Sequence, residues 1–411
     1  MPEMHIVEKM FQTHWDSAKT DARRLDVVKE TLRDSQFRNV PDSTLKLIGS
    51  KIAELVPKLD KGEGKGLIDD AAKTAINLNK PDLITHMANS VAGKGRHGIA
   101  MYACLAGGDL SRDRGIHDAA AEFYERASIH ALKLGPADAM NMNGKLPGDN
   151  QSPLGPKASA ALHLISAREA HHLGGQLQKA VGSAKLAEKL FLEEERHALA
   201  ALAVFGGAES QAGIDREKAA PMYFRAAEHA ANGQFIELTN HALYKSLAIL
   251  HGLKKHSDAA VLAEKAVKLV ATPQERARLM SIAARSHFAS DNYGAAELQL
   301  RAGGDELFKN GDLVAALPFH QLELAAKWLM GDEREYKNRK KELETNYKRG
   351  GKPDLVKKLG IAMEPNTWAK IGIKLGRLVG SRRMRNEKES LRAAYSEYSA
   401  EKLDEGSRPW Q

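Results

Sequence analysis

Two Glu-x-x-His pairs have a spacing that could hold a metal ion. Glu169 with His172 and Glu194 with His197 are three residues apart, so on a helix both side chains of a pair point the same way. A carboxylate-bridged di-iron site uses such pairs, but it also needs a glutamate from each of two further helices. The second pair begins a predicted helix, and sixteen histidines make chance pairs easy. We therefore predict no metal and no cofactor.

Two glycine-rich stretches could bind phosphate, and neither has the context that this requires. "GKGRHG", at 93–98, has the glycine spacing of a dinucleotide loop, which needs a preceding strand, yet "PDLITHMANSVA" before it has helical spacing. We expect a basic turn between helices there. "KGEGKG", at 61–66, lacks the spacing and the Ser or Thr of a phosphate-binding loop. The sequence also has no His-Glu-x-x-His zinc helix, cysteine cluster or serine elbow, and we predict that it is not an enzyme.

Charge and composition narrow the class of protein. The formal net charge is +8, but residues 333–385 carry 16 basic and 6 acidic side chains, whereas residues 1–332 are balanced. A polyanionic partner would therefore bind the C-terminal part. The single cysteine, Cys104, fits a reducing compartment, and the most apolar run, at 198–208, is too short to cross a membrane. We predict a cytoplasmic protein without a transmembrane segment.

Helical periodicity runs through almost the whole chain, and no stretch alternates as a half-buried strand would. Because only 6% of residues are aromatic while alanine is abundant, the core must form by close approach of helices. Stretches rich in Gly, Pro, Asn and Asp predict the breaks between helices. They lie at 39–43, 60–66, 79–82, 107–115 and 135–157, and near Gly233, Pro273, Gly311 and Gly331.

One pattern of side chains recurs on the predicted helices. Ala120, Tyr124 and Ala127 share one helix face, and this small, large, small order lets a neighbouring helix approach closely. The pattern returns at Ala180/Ala184/Ala187, Ala219/Tyr223/Ala226, Ala259/Ala263/Ala266 and Ala296/Leu300/Gly303. From Ala180 onward the leading alanines are 39, 40 and 37 residues apart, which leaves room for two helices per period.

Residues 84–330 resemble tetratricopeptide repeats. The family's small residue late in the first helix, followed by small, aromatic and small residues on the second, is matched by Gly207, Ala219, Tyr223 and Ala226. The resemblance implies an all-α fold, a right-handed superhelical array of antiparallel helix pairs. We divide the chain into an N-terminal helical segment (1–62), a repeat array (63–330) with an inserted loop at 135–157, and a basic C-terminal helical extension (331–411).

The resemblance also implies where a partner would bind. In such arrays the first helix of each pair lines the concave groove, and counting back from the leading alanines gives the inward residues. Those with binding chemistry are Glu169, His172, His241, Tyr244, His251, Arg278, Arg285 and Phe288. Their aromatic and basic end would suit an acidic or aromatic segment. The Lys and Asn set by which some family members bind a chaperone's terminal carboxylate is missing at the matching positions, which disfavours that ligand.

The basic extension offers a second binding surface. From Trp368 an apolar helix face is surrounded by basic residues, namely Lys370, Lys374, Arg377, Arg382, Arg383 and Arg385. This segment could cap the last hairpin of the array, lie on an anionic membrane or bind nucleic-acid phosphates, and we favour the cap.

The sequence therefore predicts a non-enzymatic adaptor or scaffold that binds an extended or helical segment of a partner protein in its groove. The alternative is a nucleic-acid- or ribosome-associated factor that is anchored by residues 333–385.

Overall fold

The computed structural model of the chain describes residues 6–34, 37, 39–135 and 154–361. Every regular element in these residues is a helix and none is a strand, which confirms the all-α prediction. The described ranges contain eighteen α-helices, which are α1 (Ile6–Ser17), α2 (Asp21–Arg33), α3 (Asp42–Leu55), α4 (Lys61–Asn77), α5 (Asp82–Ala92), α6 (His97–Asp113), α7 (His117–Ala131), α8 (Pro156–Leu173), α9 (Leu177–Leu192), α10 (His197–Ile214), α11 (Arg216–Asn232), α12 (Ile236–Gly252), α13 (His256–Ala266), α14 (Pro273–Ala289), α15 (Tyr293–Lys309), α16 (Leu313–Leu329), α17 (Glu333–Arg349) and α18 (Pro353–Ile361).

The chain forms two compact units, Met1–Leu238 and Thr239–Gln411, which we call the N-terminal and C-terminal units. Within each unit, consecutive helices pack against each other across short turns, such as 174–176 and 310–312. Helices joined in this way run antiparallel, so the described residues form a series of helical hairpins. In the described part of the chain, no helix is both long and apolar enough to span a membrane.

Many of the turns between helices share one backbone geometry. A residue with positive φ follows the helix, and the next N–H donates to the carbonyl five residues earlier, as from Gln176 to His171 at 2.8 Å and from Asp312 to Leu307 at 3.0 Å. This Schellman motif satisfies the carbonyls at the helix end. The positive-φ residues are spaced by about half a sequence period or a whole one, apart from the 60 residues between the second and the third, and they lie at Gly95, Gly115, Gly175, Glu195, Gln234, Lys254, Asp291, Gly311, Gly331 and Gly351.

The recurring small, large, small pattern lies in the helix interfaces. Ala120, Tyr124 and Ala127 on α7 are at most 1% exposed. The corresponding residues of α9, α11, α13 and α15 are buried as well. Methyl groups and hydrogens at these positions let the backbones approach, and the occasional ring fills the remaining space.

The break predicted at 107–115 is wrong in its first part. Helix α6 continues to Asp113 through Gly107 and Gly108, because these glycines leave room for the rings of Phe123 and Tyr124 on α7. A Cβ at position 108 would lie 2.8 Å from Cε1 of Tyr124. The Tyr124 hydroxyl donates to Oδ1 of Asp109 at 2.6 Å. These glycines therefore mark a close helix contact and not a turn.

Related ring-to-carboxylate pairs recur further along the chain. The glycines at 303–304 on α15 lie against the side chains of residues 319 and 320 on α16, and Nε2 of His320 lies 3.3 Å from Oδ1 of Asp305. After the glycine pair of α10, Glu209 accepts a hydrogen bond of 3.2 Å from the Tyr223 hydroxyl. Helix α15 is the second helix of one hairpin and the first helix of the next, which it forms with α16. The turn of that next hairpin accounts for the turn signal near Gly311, half a sequence period after Ala296.

The glycine-rich stretches at 61–66 and 93–98 belong to helix starts and a turn. Helix α4 begins at Lys61, so the break predicted at 60–66 is wrong beyond Asp60, whose carboxylate accepts from the N–H of Glu63 at 2.7 Å and caps the helix. "GKGRHG" connects α5 to α6, with Gly95 at φ 74°. The preceding segment is helical, as expected, which leaves no strand to support a dinucleotide loop there.

The first part of the basic extension forms two helices that pack onto α16. Helices α16, α17 and α18 share a core cluster of Leu317, Leu324, Leu343, Tyr347, Leu355 and Leu359. The predicted basic patch, Lys370, Lys374, Arg377, Arg382, Arg383 and Arg385, lies outside the described residues, as does the loop at 135–157 except for its ends.

Candidate partner-binding site

In the C-terminal unit, contacts between α12 and α14 bring four of the predicted groove residues together in two pairs. The Tyr244 hydroxyl of α12 donates to Oε2 of Glu275 on α14 at 2.6 Å. The Arg278 guanidinium lies 4.4 Å from the centroid of the Tyr244 ring and pairs with Glu275 at 3.8 Å. Burial and the Glu275 carboxylate raise the pKa of the Tyr244 hydroxyl, so it stays protonated as a donor. These contacts fasten α12 to α14.

The second contact joins the C-terminal ends of the same two helices. Nε2 of His251 lies 3.1 Å from Oγ of Ser286, and that hydroxyl donates its proton to the carbonyl of Ile282 at 2.8 Å. His251 must therefore be the donor in the His251–Ser286 hydrogen bond. Burial, together with the charge of Arg285 and the neighbouring His256, lowers the pKa of His251 to about 4. Its imidazole is neutral at neutral pH.

Arg285 differs from the other arginines of α14. Nε of Arg276 donates to Glu306 at 2.6 Å, and Arg278 is held by Tyr244 and Glu275. Arg285 is half-buried and forms no hydrogen bond or ion pair with any residue that the structure describes. A partly desolvated guanidinium without a counter-ion is unfavourable, because burial removes hydration that nothing replaces.

The small residue Ala248 lies on α12 between Tyr244 and His251, four residues after the first and three before the second. This spacing places all three on one helix face. Ala248 is exposed, whereas Tyr244 and His251 are half-buried. The face therefore carries an exposed methyl group between two large side chains.

The two remaining groove residues of this unit are placed differently. His241 is exposed near the start of α12. Phe288 packs against a cluster of Ala284, Ala296 and Leu300, and its ring lies edge-on to Tyr293 at 5.9 Å. Phe288 thus contributes to the α14–α15 interface.

In the N-terminal unit, the predicted groove residues Glu169 and His172 lie on α8. Nδ1 of His172 is 2.9 Å from Oγ of Ser210 on α10, and Ser210 donates to the carbonyl of Gly206. The same kind of contact joins His251 to Ser286 in the other unit. Counting back from the leading alanines thus finds the same interhelical contact in both units. Glu169 is exposed.

The second Glu-x-x-His pair has a structural use. Glu194 accepts hydrogen bonds from the N–H groups of Gly155 (3.1 Å), Lys157 (2.9 Å) and Ala158 (3.2 Å), so it caps the start of α8. A Cβ at position 155 would collide with this carboxylate. Among the described residues, no three His, Cys, Asp or Glu side chains gather in a way that could hold a metal ion.

The C-terminal unit contains a buried ion network that the sequence patterns do not predict. Nε of Arg339 on α17 donates to Glu323 at 2.7 Å and its Nη2 donates to Asp305 at 2.8 Å, although Glu323 is 0% exposed. Burial would raise the pKa of Asp305, but hydrogen bonds from His320 and Arg339 outweigh it and lower that pKa to about 2. By sequence, Arg339 belongs to the basic extension. Its guanidinium is paired with carboxylates inside the fold.

Comparisons with known proteins give low-level likenesses to helical-repeat structures. The apo form of RapI is 14% identical, with a TM-score of 0.33, over 90% of this chain and 99% of that chain. A Rap protein complexed with Competence and Sporulation Factor is 12% identical, with a TM-score of 0.28, over 97% and 98%. A signal transduction ATPase with a tetratricopeptide repeat sensor, from Pyrococcus horikoshii, is 13% identical, with a TM-score of 0.30, over 92% and 55%.

No family model and no curated protein matches the chain. The TM-scores are low, whereas the helices and turns of the described residues show the all-α fold directly.

Proposed function

We propose that the chain is a non-enzymatic adaptor or scaffold that binds a segment of a partner protein on the surface formed by α12 and α14. The observation that carries this proposal is the set of half-buried aromatic, imidazole and guanidinium groups of Tyr244, His251, Arg278 and Arg285 around the exposed Ala248. Tyrosine and arginine on well-packed surfaces are the residue types that contribute most to protein interfaces.

The internal bonding of this surface supports a binding role. The polar atoms of Tyr244 and His251 already have partners in Glu275 and Ser286, so these side chains are held in place. A surface that is ordered before binding loses less conformational entropy when a partner segment docks. The free thiol of Cys104, which is buried, supports a reducing compartment such as the cytoplasm.

The experiment is a quantitative capture of proteins from native lysate by the full chain. Ala248→Trp places a bulky side chain at an exposed position between Tyr244 and His251. Val261→Trp is the matched control, because Val261 is 50% exposed on α13. We expect Ala248→Trp to lose the captured partner and Val261→Trp to keep it, with both variants equally stable to heat.

The nucleic-acid alternative gives a different outcome. Binding to phosphates weakens steeply as salt rises, whereas a segment docked on an apolar and aromatic surface is much less sensitive. Capture that survives Ala248→Trp, but is lost at high salt or on deletion of residues 362–411, would contradict the proposal and favour an anchor in the basic extension.

A further inference from the structure

We propose that the partner segment is acidic and that one of its carboxylates pairs with Arg285. This inference rests on the proposed function, because it specifies the chemistry of the segment that docks between α12 and α14. The occupant is a carboxylate-bearing peptide, because its negative charge complements the positive charge of Arg285.

The three arginines of α14 differ in the partners that they have. Arg276 has the carboxylate of Glu306 and the carbonyl of Ala271 as partners, at 2.6 and 2.7 Å. Arg278 has the ring of Tyr244 and, at 3.8 Å, the carboxylate of Glu275. Only Arg285 among these three has no such partner in the described part of the chain. A guanidinium has a planar set of donors that matches a carboxylate in two parallel hydrogen bonds.

The charged groups beside Arg285 favour an anion. His251 on α12 and His256 on α13 lie close to each other, with ring centroids 5.7 Å apart, and the Arg285 charge acts on His251. Glu264 on α13, which faces α14, is already bonded to His287 at 2.8 Å. An incoming carboxylate would therefore be attracted to the unpaired guanidinium of Arg285.

The surface between α12 and α14 fits a peptide better than a nucleic acid. Phosphate backbones are bound by several cations that follow the strand, because affinity comes from release of many counter-ions. On α14 two of the three arginines are already paired, and the neighbouring positions on α12 are Tyr244, Ala248 and His251. One available guanidinium beside neutral rings and a methyl group fits a single carboxylate followed by apolar peptide atoms.

The test uses the full chain and a fluorescein-labelled peptide of alternating Glu and Ala, with an alternating Gln and Ala peptide as the uncharged probe. Fluorescence anisotropy should show that the Glu peptide binds about tenfold more tightly than the Gln peptide, as expected for loss of a charge-assisted pair. Arg285→Gln should remove this preference. Lys265→Gln, which makes the same change of charge at an exposed site on α13, should keep it within twofold. Equal affinity for the two peptides, or a preference that persists in Arg285→Gln, would overturn the proposal.

A second readout comes from the imidazole of His251. A bound carboxylate cancels the charge of Arg285, and this favours the imidazolium form, so the pKa of His251 should rise from about 4 when the Glu peptide saturates the protein. Histidine-detected NMR measures this shift even where affinities are modest. A pKa of His251 that does not move on saturation would contradict pairing at Arg285.

Two further outcomes keep this inference distinct from the proposed function. If Ala248→Trp abolishes lysate capture while Arg285→Gln retains both capture and the Glu preference, the surface binds a partner but the carboxylate pairing is wrong. If a single-stranded RNA binds more tightly than the Glu peptide and needs Arg285, the occupant is a phosphate and the acidic-peptide inference fails.

Discussion

Replacing Gly108 by alanine tests whether the glycine pair of α6 is there to admit the rings of α7. The added Cβ would lie 2.8 Å from Cε1 and 3.0 Å from Cδ1 of Tyr124, whereas ordinary carbon contacts begin near 3.4 Å. The ring cannot easily withdraw, because Tyr124 is 1% exposed and its hydroxyl is bound to Asp109 at 2.6 Å. The methyl group must therefore displace α7 or break that hydrogen bond.

The magnitude follows from two opposing terms. Overpacking of a tight core costs about 1–3 kcal/mol. Alanine is better than glycine in a helix by about 1 kcal/mol, which offsets part of this cost. We therefore expect Gly108→Ala to lose up to about 2 kcal/mol of local stability. The matched control is Gly182→Ala on α9, where a Cβ meets nothing within 4 Å, and there we expect a gain of about 0.5–1 kcal/mol.

The assay is hydrogen–deuterium exchange of α6 and α7 in Gly108→Ala and of α9 in Gly182→Ala, because exchange reports the free energy of local opening in each helix. Exchange should speed up in the first variant and slow down in the second. If Gly108→Ala protects α6 as well as Gly182→Ala protects α9, the reasoning about glycine and ring packing is refuted.

Three other perturbations have defined outcomes. Arg339→Met removes one of the two cations on the buried Glu323 and leaves Arg301, whose Nε donates to Glu323 at 3.0 Å, so it should lower the protection of α17 by about 1.5–3 kcal/mol; the double variant Arg339→Met with Glu323→Leu should restore most of it, because Arg301 keeps Glu297 as a partner, and no recovery would contradict the pairing. His163 is 8% exposed with a pKa lowered by burial to about 4, so its contribution to stability is complete above pH 6.5 and falls by up to about 3 kcal/mol as the pH drops towards 4. Urea unfolding at pH 6.5 and at pH 4 should show that His163→Leu loses less stability on acidification than the unsubstituted chain does. An equal loss of stability in the two proteins would contradict this. Glu194→Ala should cost about 1–2 kcal/mol and speed exchange at the start of α8, whereas Glu193→Ala, which removes only surface ion pairs with Lys157 and Lys189, should change it little.

Side-chain periodicity was sufficient to predict the class of fold. Alanine at three- and four-residue spacing can face only one way on a helix, so Ala219, Tyr223 and Ala226 had to lie in an interface. Glycine was ambiguous, because it occurs both at helix ends and at close helix contacts. Gly311 is the first kind, with φ 82°, and Gly108 is the second, within a continuous helix.

The turns were harder to locate where the left-handed residue is not glycine. Glu195 and Lys254 both have φ near 60°, and neither side chain is a strong turn signal. The Schellman hydrogen bonds and the packing of the flanking helices hold them in that conformation. Such tertiary support is not visible in a short stretch of sequence.

The sequence was sufficient to predict which helix faces form the candidate site, but not which side chains pair with each other. Counting back from the leading alanines placed Tyr244 beside Arg278 and His251 beside Arg285, because the first helices of neighbouring pairs present the same face. It could not show that Phe288 packs towards α15 or that Arg339 pairs with Glu323. Those choices depend on side-chain conformations and on contacts between residues far apart in the chain.

The most direct test of the binding surface is a photo-crosslink placed within it. The full chain would carry a benzophenone amino acid at position 248 on α12 or, as the control, at position 261 on α13, and be irradiated in native lysate. We predict that position 248 cross-links to a peptide segment of a partner protein and that position 261 does not. Equal yields at both positions, or no cross-link from position 248 to a partner that the chain captures, would contradict the account.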